Sequence, residues 1–437
     1  MIEALIPLSF GDFPDDVQLC VLSFLRPTEL AAFACTCKRF DALYRHDQRL
    51  WFSLCHRRWG SKTLINKWGA GKISYKNLYR LLNEYESLIG FWRRSGDVSA
   101  SPPPPPLVFF EWGPFYITGS RVSPTRNSGY GVIKKPFLWM SIAPSGEMVN
   151  YLDPDGKAAL TEENLMGESE AVESELIRVN VSFIGECHVV VEENSNSNLN
   201  SSSLGNSIGE ECDNVYGSPP DRLMTEIYQY FANRTSPGGN GSSRRQRRRE
   251  KEKQGRIRKL EPEHFVKIVN CSPKPSRPLQ GLWKGICDDT NLDFYLVTYD
   301  DVGGIACRKV GDSNRPLTYH APIFWTSSLT FIESPLSPEE DDIYNCQLHL
   351  RPPAEADQMP SSDNGAVSRM LYINSSYDLV IPDLVGTAVN PRRVEGRIWE
   401  YRNGTFGFGF LRDNYIIDLK HIALNGHLLD TIEPSSG

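Results

Sequence analysis

The stretch Phe10-Gly11-Asp12-Phe13-Pro14-Asp15-Asp16-Val17-Gln18-Leu19-Cys20-Val21-Leu22-Ser23-Phe24-Leu25 decides how the N-terminal part of this chain folds. Pro14 stands where a first-turn proline is tolerated, and Asp15 and Asp16 suit the positive end of a helix. Val17, Val21 and Leu25 recur at i, i+4 and i+8 with Leu22 alongside, which predicts one apolar stripe on a helix. Pro27-Thr28-Glu29 ends this helix and starts the next, with Thr28 placed to cap it. Leu30, Phe33, Ala34 and Cys37 make a second stripe, and Leu43, Leu50, Trp51 and Leu54 a third. Three helices this short bury too little surface to be secure alone. Their spare apolar residues must dock on the rest of the chain or on a partner.

Beyond this module the texture changes. The chain has 437 residues, about right for a small module plus one or two larger units. We divide it into a three-helix module at 8–60, a helical linker at 61–87, and a first β-rich part at 88–191. Then come a largely disordered insert at 192–262 and a second β-rich part at 263–432. The fold class is α+β: a small all-α module followed by a large antiparallel barrel-like domain with disordered inserts. The insert opens with the Asn/Ser-rich tract 192–218, which holds too little apolar surface to offset the entropy of ordering. Leu223, Ile227, Tyr230 and Phe231 then predict a short helix near 222–233, packing on the barrel. The pentaproline 102–106 reads as a stiff extended connector between the first two strands.

An internal similarity bears on architecture. Leu88-Ile89-Gly90-Phe91-Trp92-Arg93 is echoed by Leu279-Gln280-Gly281-Leu282-Trp283-Lys284, and a looser Gly396-Arg397-Ile398-Trp399 breaks the spacing. Residues two apart in a strand face the same side. Gly90 and Gly281 then allow a neighbouring segment to approach, while Trp92 and Trp283 fill the interior beyond. The first β part offers five strands before the Asn/Ser tract, whereas a closed barrel takes about eight. That points to a single composite barrel built from both parts.

Composition and spacing exclude several classes. No apolar run approaches the roughly 18 residues of a spanning helix, and the acidic start does not suit a signal peptide, so neither membrane insertion nor secretion is expected. The ten cysteines are too sparse for a disulfide scaffold. Cys35, Cys37, Cys55 and His56 lack the paired spacing of a structural zinc site, and the cysteines read as core residues; no metal or cofactor is expected. Asp153-Pro154-Asp155-Gly156 reads as a tight turn, and no catalytic set is evident. The net charge of −7 argues against nucleic acid as a partner of the whole chain. The basic run from Arg244 to Lys259 is compatible with nuclear import, an acidic partner or a solvated insertion; Glu250 and Glu252 dilute it and stacking aromatics are missing.

The N-terminal residues resemble the F-box. The pattern reads Phe13-Pro14-Asp15-Asp16-Val17, then Leu22-Ser23-Phe24-Leu25, then Leu30, Cys35-Thr36-Cys37-Lys38-Arg39-Phe40, and finally Leu50-Trp51. Phe13 replaces the usual leucine and Phe40 the usual tryptophan, each keeping a bulky apolar group. The resemblance implies docking on a Skp-family adaptor, and through it on a cullin and a RING subunit. Carried over by position, Phe13, Pro14, Val17, Leu22, Leu25, Leu30, Cys37, Lys38 and Trp51 form or support that surface. The whole chain also resembles a plant-like F-box subgroup whose C-terminal region is a β-barrel opening with Leu-x-Gly-x-Trp. That subgroup implies a non-catalytic ubiquitin-ligase receptor, working in the nucleus, the cytoplasm or both, whose barrel recognises a protein substrate.

Arg121, Lys134, Lys135, Arg392 and Arg393 lie beside strand ends, within reach of a substrate acid at a barrel mouth, or equally as ordinary exposed charges. The rival reading, from the likeness of Gly-x-Trp barrels to the lipocalin class, is a carrier or sensor of a small apolar ligand.

Overall fold

The computed structural model describes residues 9–95, 107–125, 129–154, 176–194, 261–269, 271–288, 291–299, 304–310, 323–351, 366–376, 395–424 and 426–432. The pentaproline, the expected helix near 222–233, the basic run and Arg392–Arg393 fall outside them.

Helices α1 (Asp15–Leu22), α2 (Pro27–Ala34), α3 (Lys38–Tyr44) and α4 (Phe52–Trp59) build the N-terminal module. Its core is Leu19, Leu22, Leu30, Leu43, Leu50, Trp51 and Leu54. On α1 the buried face carries Gln18, Leu19 and Leu22. The Val17–Val21 stripe therefore points outward. Gln18 holds the entering chain, its Nε2 donating to the carbonyls of Phe10 at 2.9 Å and Phe13 at 2.7 Å. Thr28 is not the cap of α2. Arg26 holds that position, its backbone N–H donating to the Glu29 carboxylate at 2.8 Å, and Pro27 supplies the preset first turn.

Helix α5 (Tyr75–Tyr85) and the turns before it connect the module to the β region. Asp47 accepts the backbone N–H groups of Tyr75 at 2.8 Å and Lys76 at 2.9 Å, which satisfies donors that a helix start leaves open. The Leu64 N–H donates to the Pro114 carbonyl at 2.8 Å, and the Thr63 hydroxyl accepts the Trp68 indole N–H at 2.9 Å.

The first β part contributes β1 (Gly90–Ser95), β2 (Leu107–Trp112), β3 (Tyr116–Pro124), β4 (Val132–Ile142), β5 (Met148–Leu152), β6 (Ile177–Ile184) and β7 (His188–Glu193). Across the insert comes β8 (Glu263–Lys267), which pairs with both β7 and β1. Pairings from β1 through β8 and back to β1 make a closed circuit of eight strands. A second circuit comprises β9 (Gly281–Asp288), β10 (Asn291–Tyr299), β11 (Gly304–Val310) and β12 (Ile323–Ser328). After β13 (Ile332–Glu333), α6 (Pro338–Asn345) and β14 (Leu348–Leu350), it continues with β15 (Val367–Ser376), β16 (Gly396–Tyr401), β17 (Phe406–Phe410) and β18 (Tyr415–His421). β12 pairs with β15 and β18 with β9, so this ring closes too.

The β region is barrel-like and antiparallel around each ring, yet the expected single composite barrel is corrected to two eight-stranded barrels. Counting five strands left out β6 and β7, which run up to the Asn/Ser tract, and β8, which returns from beyond it. The pair Trp92↔Lys267 closes the first ring across that long separation. One cluster joins the two, with Phe91, Leu107, Phe109 and Val122 meeting Leu282, Ile286, Phe294 and Ile422. The described residues close with β19 (Ala423–Leu424), β20 (His427–Leu428) and β21 (Thr431–Ile432), β21 lying parallel on β4.

The repeated motif has one physical basis in both rings. The Trp92 indole N–H donates to the Leu88 carbonyl at 2.6 Å, and Trp283 to Leu279 at 2.9 Å. The glycine between takes φ of +117° at Gly90 and +140° at Gly281, a region that disfavours side chains. Close approach by a neighbour, expected at both, holds only at Gly281, where an added Cβ meets the Cys271 carbonyl oxygen at 2.8 Å. In the third, irregular copy the shifted tryptophan turns away from the barrel interior: Trp399 packs against Tyr344 of α6 at a tilted angle of 56°, while Ile398 fills the barrel.

Candidate functional site

Two regions gather chemistry-bearing residues: the outer face of the helical module and the interior of the first barrel. On the module, Phe13, Val17, Val21 and Phe24 are 41%, 40%, 49% and 72% exposed, an unusual apolar set to leave in water. Val17 and Val21 are one helical turn apart on α1, with Phe13 just before that helix and Phe24 just after it. Phe24 is held by Arg57, whose guanidinium carbon sits 3.8 Å from the ring centroid. Arg57 Nη2 also donates to the Ser23 hydroxyl at 2.7 Å.

The residues carried over from the F-box pattern divide by burial. Phe13, Pro14, Val17, Cys37 and Lys38 are exposed, and Leu25 is half-buried. Leu22, Leu30 and Trp51 lie inside the module, so they support the face from beneath. Trp51 donates its indole N–H to the Tyr44 carbonyl at 2.8 Å. Sequence reasoning left Val21 and Phe24 out of the site. The spacing of Val21 with Val17 was the available signal. Cys35 and Cys37 are not core residues, since they flank the α2–α3 turn in the open. Cys55 is buried, and burial pushes its thiol up to about 12.

In the first barrel, Arg121 of β3 lies only 8% exposed beneath Phe137, its guanidinium carbon 4.5 Å from the ring centroid. It donates to the Pro154 carbonyl at 3.1 Å and faces Glu263 at 3.6 Å. Burial lowers its pKa while Glu263 and Asp153 act to raise it, and burial likewise lowers that of Arg94. Lys135 is the cross-strand partner of Arg121. Lys134 is engaged by Glu111. Arg94 is the residue that sequence reasoning missed: two positions after Trp92, it shares that side of the strand. Glu263 was not readable as part of this group, because it arrives from across the insert.

The second barrel differs. Its core is Trp283, Tyr295, Val297, Ile305, Cys307, Trp325, Leu371, Ile373, Ile398, Phe406, Phe408, Phe410, Ile417 and Leu419, with Leu279. Two residues after its motif tryptophan stands Gly285, where an added Cβ meets Leu419 at 2.4 Å. Where the first barrel keeps an arginine, the second is packed shut.

Comparison with known proteins bears on the helical module and on the chain as a whole. Residues 10–57 match the F-box-like family profile. Over 432 residues, 98% of this chain and 99% of the relative, the sequence is 47% identical to an F-box protein of Arabidopsis thaliana.

Proposed function

The chain belongs to the F-box protein family, and from that premise we propose that it is the substrate-recognition subunit of a Skp–cullin–F-box ubiquitin ligase. An F-box implies binding to a Skp-family adaptor, and F-box proteins are generally non-catalytic receptors. In our reading the adaptor seats on Phe13, Pro14, Val17, Val21 and Phe24, flanked by Cys37 and Lys38. Leu22, Leu25, Leu30 and Trp51 keep that face in shape. The observation that carries this is the apolar strip left exposed on a module whose core is already complete. Burial of each such side chain contributes roughly 1.5–3 kcal/mol, so a few are enough to offset the cost of association.

The β region, in the same proposal, holds a protein segment so that its lysines stay near the conjugating enzyme, which raises their local concentration. Arg94, Arg121 and Lys135 in the first barrel suit an acidic group on that segment. The packed core of the second barrel does not favour the rival small apolar ligand there.

Val17→Asp with Val21→Asp tests the adaptor claim without touching the module core. Adaptor recovery in a pull-down should fall about 100-fold, equivalent to roughly 3 kcal/mol, with circular dichroism unchanged. Undiminished recovery by the folded double variant would rule the docking face out.

A further inference from the structure

A cavity of about 770 Å³ opens on the helical module between the start of α2 and the flank of α5. Arg26, Pro27 and Thr28 form one wall, Lys76, Asn77, Arg80 and Asn83 the other, and Trp51, Tyr79 and Arg58 the base. Four lining residues are cationic and none is acidic, in a chain whose net charge is −7.

The four charges are met in two ways. Arg26 is held by Glu29 at 2.7 Å, and Arg58 by Glu86 at 2.5 Å. Lys76 rests over the Tyr44 ring, 4.4 Å from its centroid, and Arg80 reaches Asn77 at 3.1 Å; among the described residues neither forms an ion pair. The nearby carboxylate of Asp47 is occupied by the backbone of Tyr75 and Lys76. Lys76 and Arg80 stand at i and i+4 on α5, where like charges cost a few tenths of a kcal/mol. That repulsion does not stabilise the helix, and it leaves both charges available to an anionic occupant. Polar side chains between the cations, over an aromatic base, suit the carboxylates and carbonyls of a peptide. The concave shape fits a chain segment better than a flat membrane.

We propose that this groove binds an extended acidic segment of a partner protein, separately from the adaptor face. Charge complementarity carries the choice of occupant. The site does not depend on the adaptor reading, and its test is arranged accordingly.

The full-length protein is titrated into a fluorescein-labelled oligoglutamate peptide and followed by anisotropy, with oligoglutamine as the uncharged control. The basic run at 244–259 also attracts oligoglutamate, so wild type is compared with Lys76→Glu/Arg80→Glu, which leaves that run intact. The double variant should bind about tenfold more weakly, and Lys76→Arg/Arg80→Lys should bind like wild type. Adaptor recovery should be the same for all three. Equal peptide affinity in the charge-reversed variant overturns the proposal. So does loss of adaptor recovery in that variant, which would make the groove part of the adaptor face. Stronger charge-dependent binding to phosphatidylserine vesicles than to the peptide would replace the peptide with a membrane and overturn it as well.

Discussion

At the scale of single residues, burial separates positions that look alike in sequence. Trp51 and Val21 are both apolar members of the N-terminal pattern, but Trp51 is 4% exposed and Val21 49%. Trp51→Ala leaves a cavity beside Leu50 and Leu54 and orphans the Tyr44 carbonyl, so the helical module should lose about 3–5 kcal/mol in urea denaturation. Val21→Ala should stay within about 0.5 kcal/mol by the same measurement. Glycine positions divide likewise. Gly90 answers to backbone conformation, whereas Gly407 answers to space: an added Cβ meets the Tyr401 hydroxyl at 2.6 Å and Asp418 Oδ1 at 2.9 Å. Gly407→Ala should cost about 1–3 kcal/mol, read as a lower denaturation midpoint of the second barrel.

At the scale of elements, β17 shows how alternation assigns two jobs to five residues. Phe406, Phe408 and Phe410 fill the barrel, while outside it Gly409 leaves room for Gln347, in the segment that carries α6 and β14, and Gly407 for the Tyr401 hydroxyl and Asp418. Asp418 fastens that segment. It takes His349 at 2.8 Å, Arg351 at 2.5 Å and the Tyr401 hydroxyl at 2.6 Å. Burial pushes the Asp418 carboxyl up, but these partners together hold it below the usual range. The neighbouring strand end responds to milder acid. His421 stacks on Trp283 with ring centroids 4.0 Å apart, and burial lowers its pKa from 6.5. The unfolded chain then binds the proton more readily than the folded one, so this contribution is full above pH 6.5 and is lost as pH falls through the folded pKa. Thermal midpoints measured across that window should decline more steeply for wild type than for His421→Phe. Parallel slopes would remove His421 from the account.

At the scale of the whole molecule, the turn Leu429–Asp430 between β20 and β21 connects the barrels. Lys284 of β9 is fully buried, with its Nζ 2.7 Å from Asp430 Oδ2 and 3.1 Å from the Leu429 carbonyl. The Asp430 carbonyl accepts the Val132 N–H at 2.8 Å, which places the same residue against the first barrel. Asp430 is largely solvent-facing, so water screens part of the pair. Asp430→Asn should still cost about 1–3 kcal/mol, because the buried ammonium loses its carboxylate. Adding Lys284→Met should recover part of that loss in a denaturation double-mutant cycle, since the unpaired charge is then gone.

Several features were legible from local sequence. The order Pro14, Asp15, Asp16 and the following apolar periods place the first helix, because capping and dipole effects act within one turn. Leu88-x-Gly90-x-Trp92 and its copy at 279–283 mark the start of each β region, because the indole-to-carbonyl bond spans only four residues. Other features needed the tertiary structure. Periodicity puts Val17 and Val21 on one face but does not say whether chain or water covers it, and the covered face proved to be Leu19 and Leu22. Ring closure by Trp92↔Lys267, the pairing of Arg121 with Glu263, and the division into two barrels rest on contacts between distant segments. Their partners are selected by three-dimensional packing, to which spacing along the chain is blind.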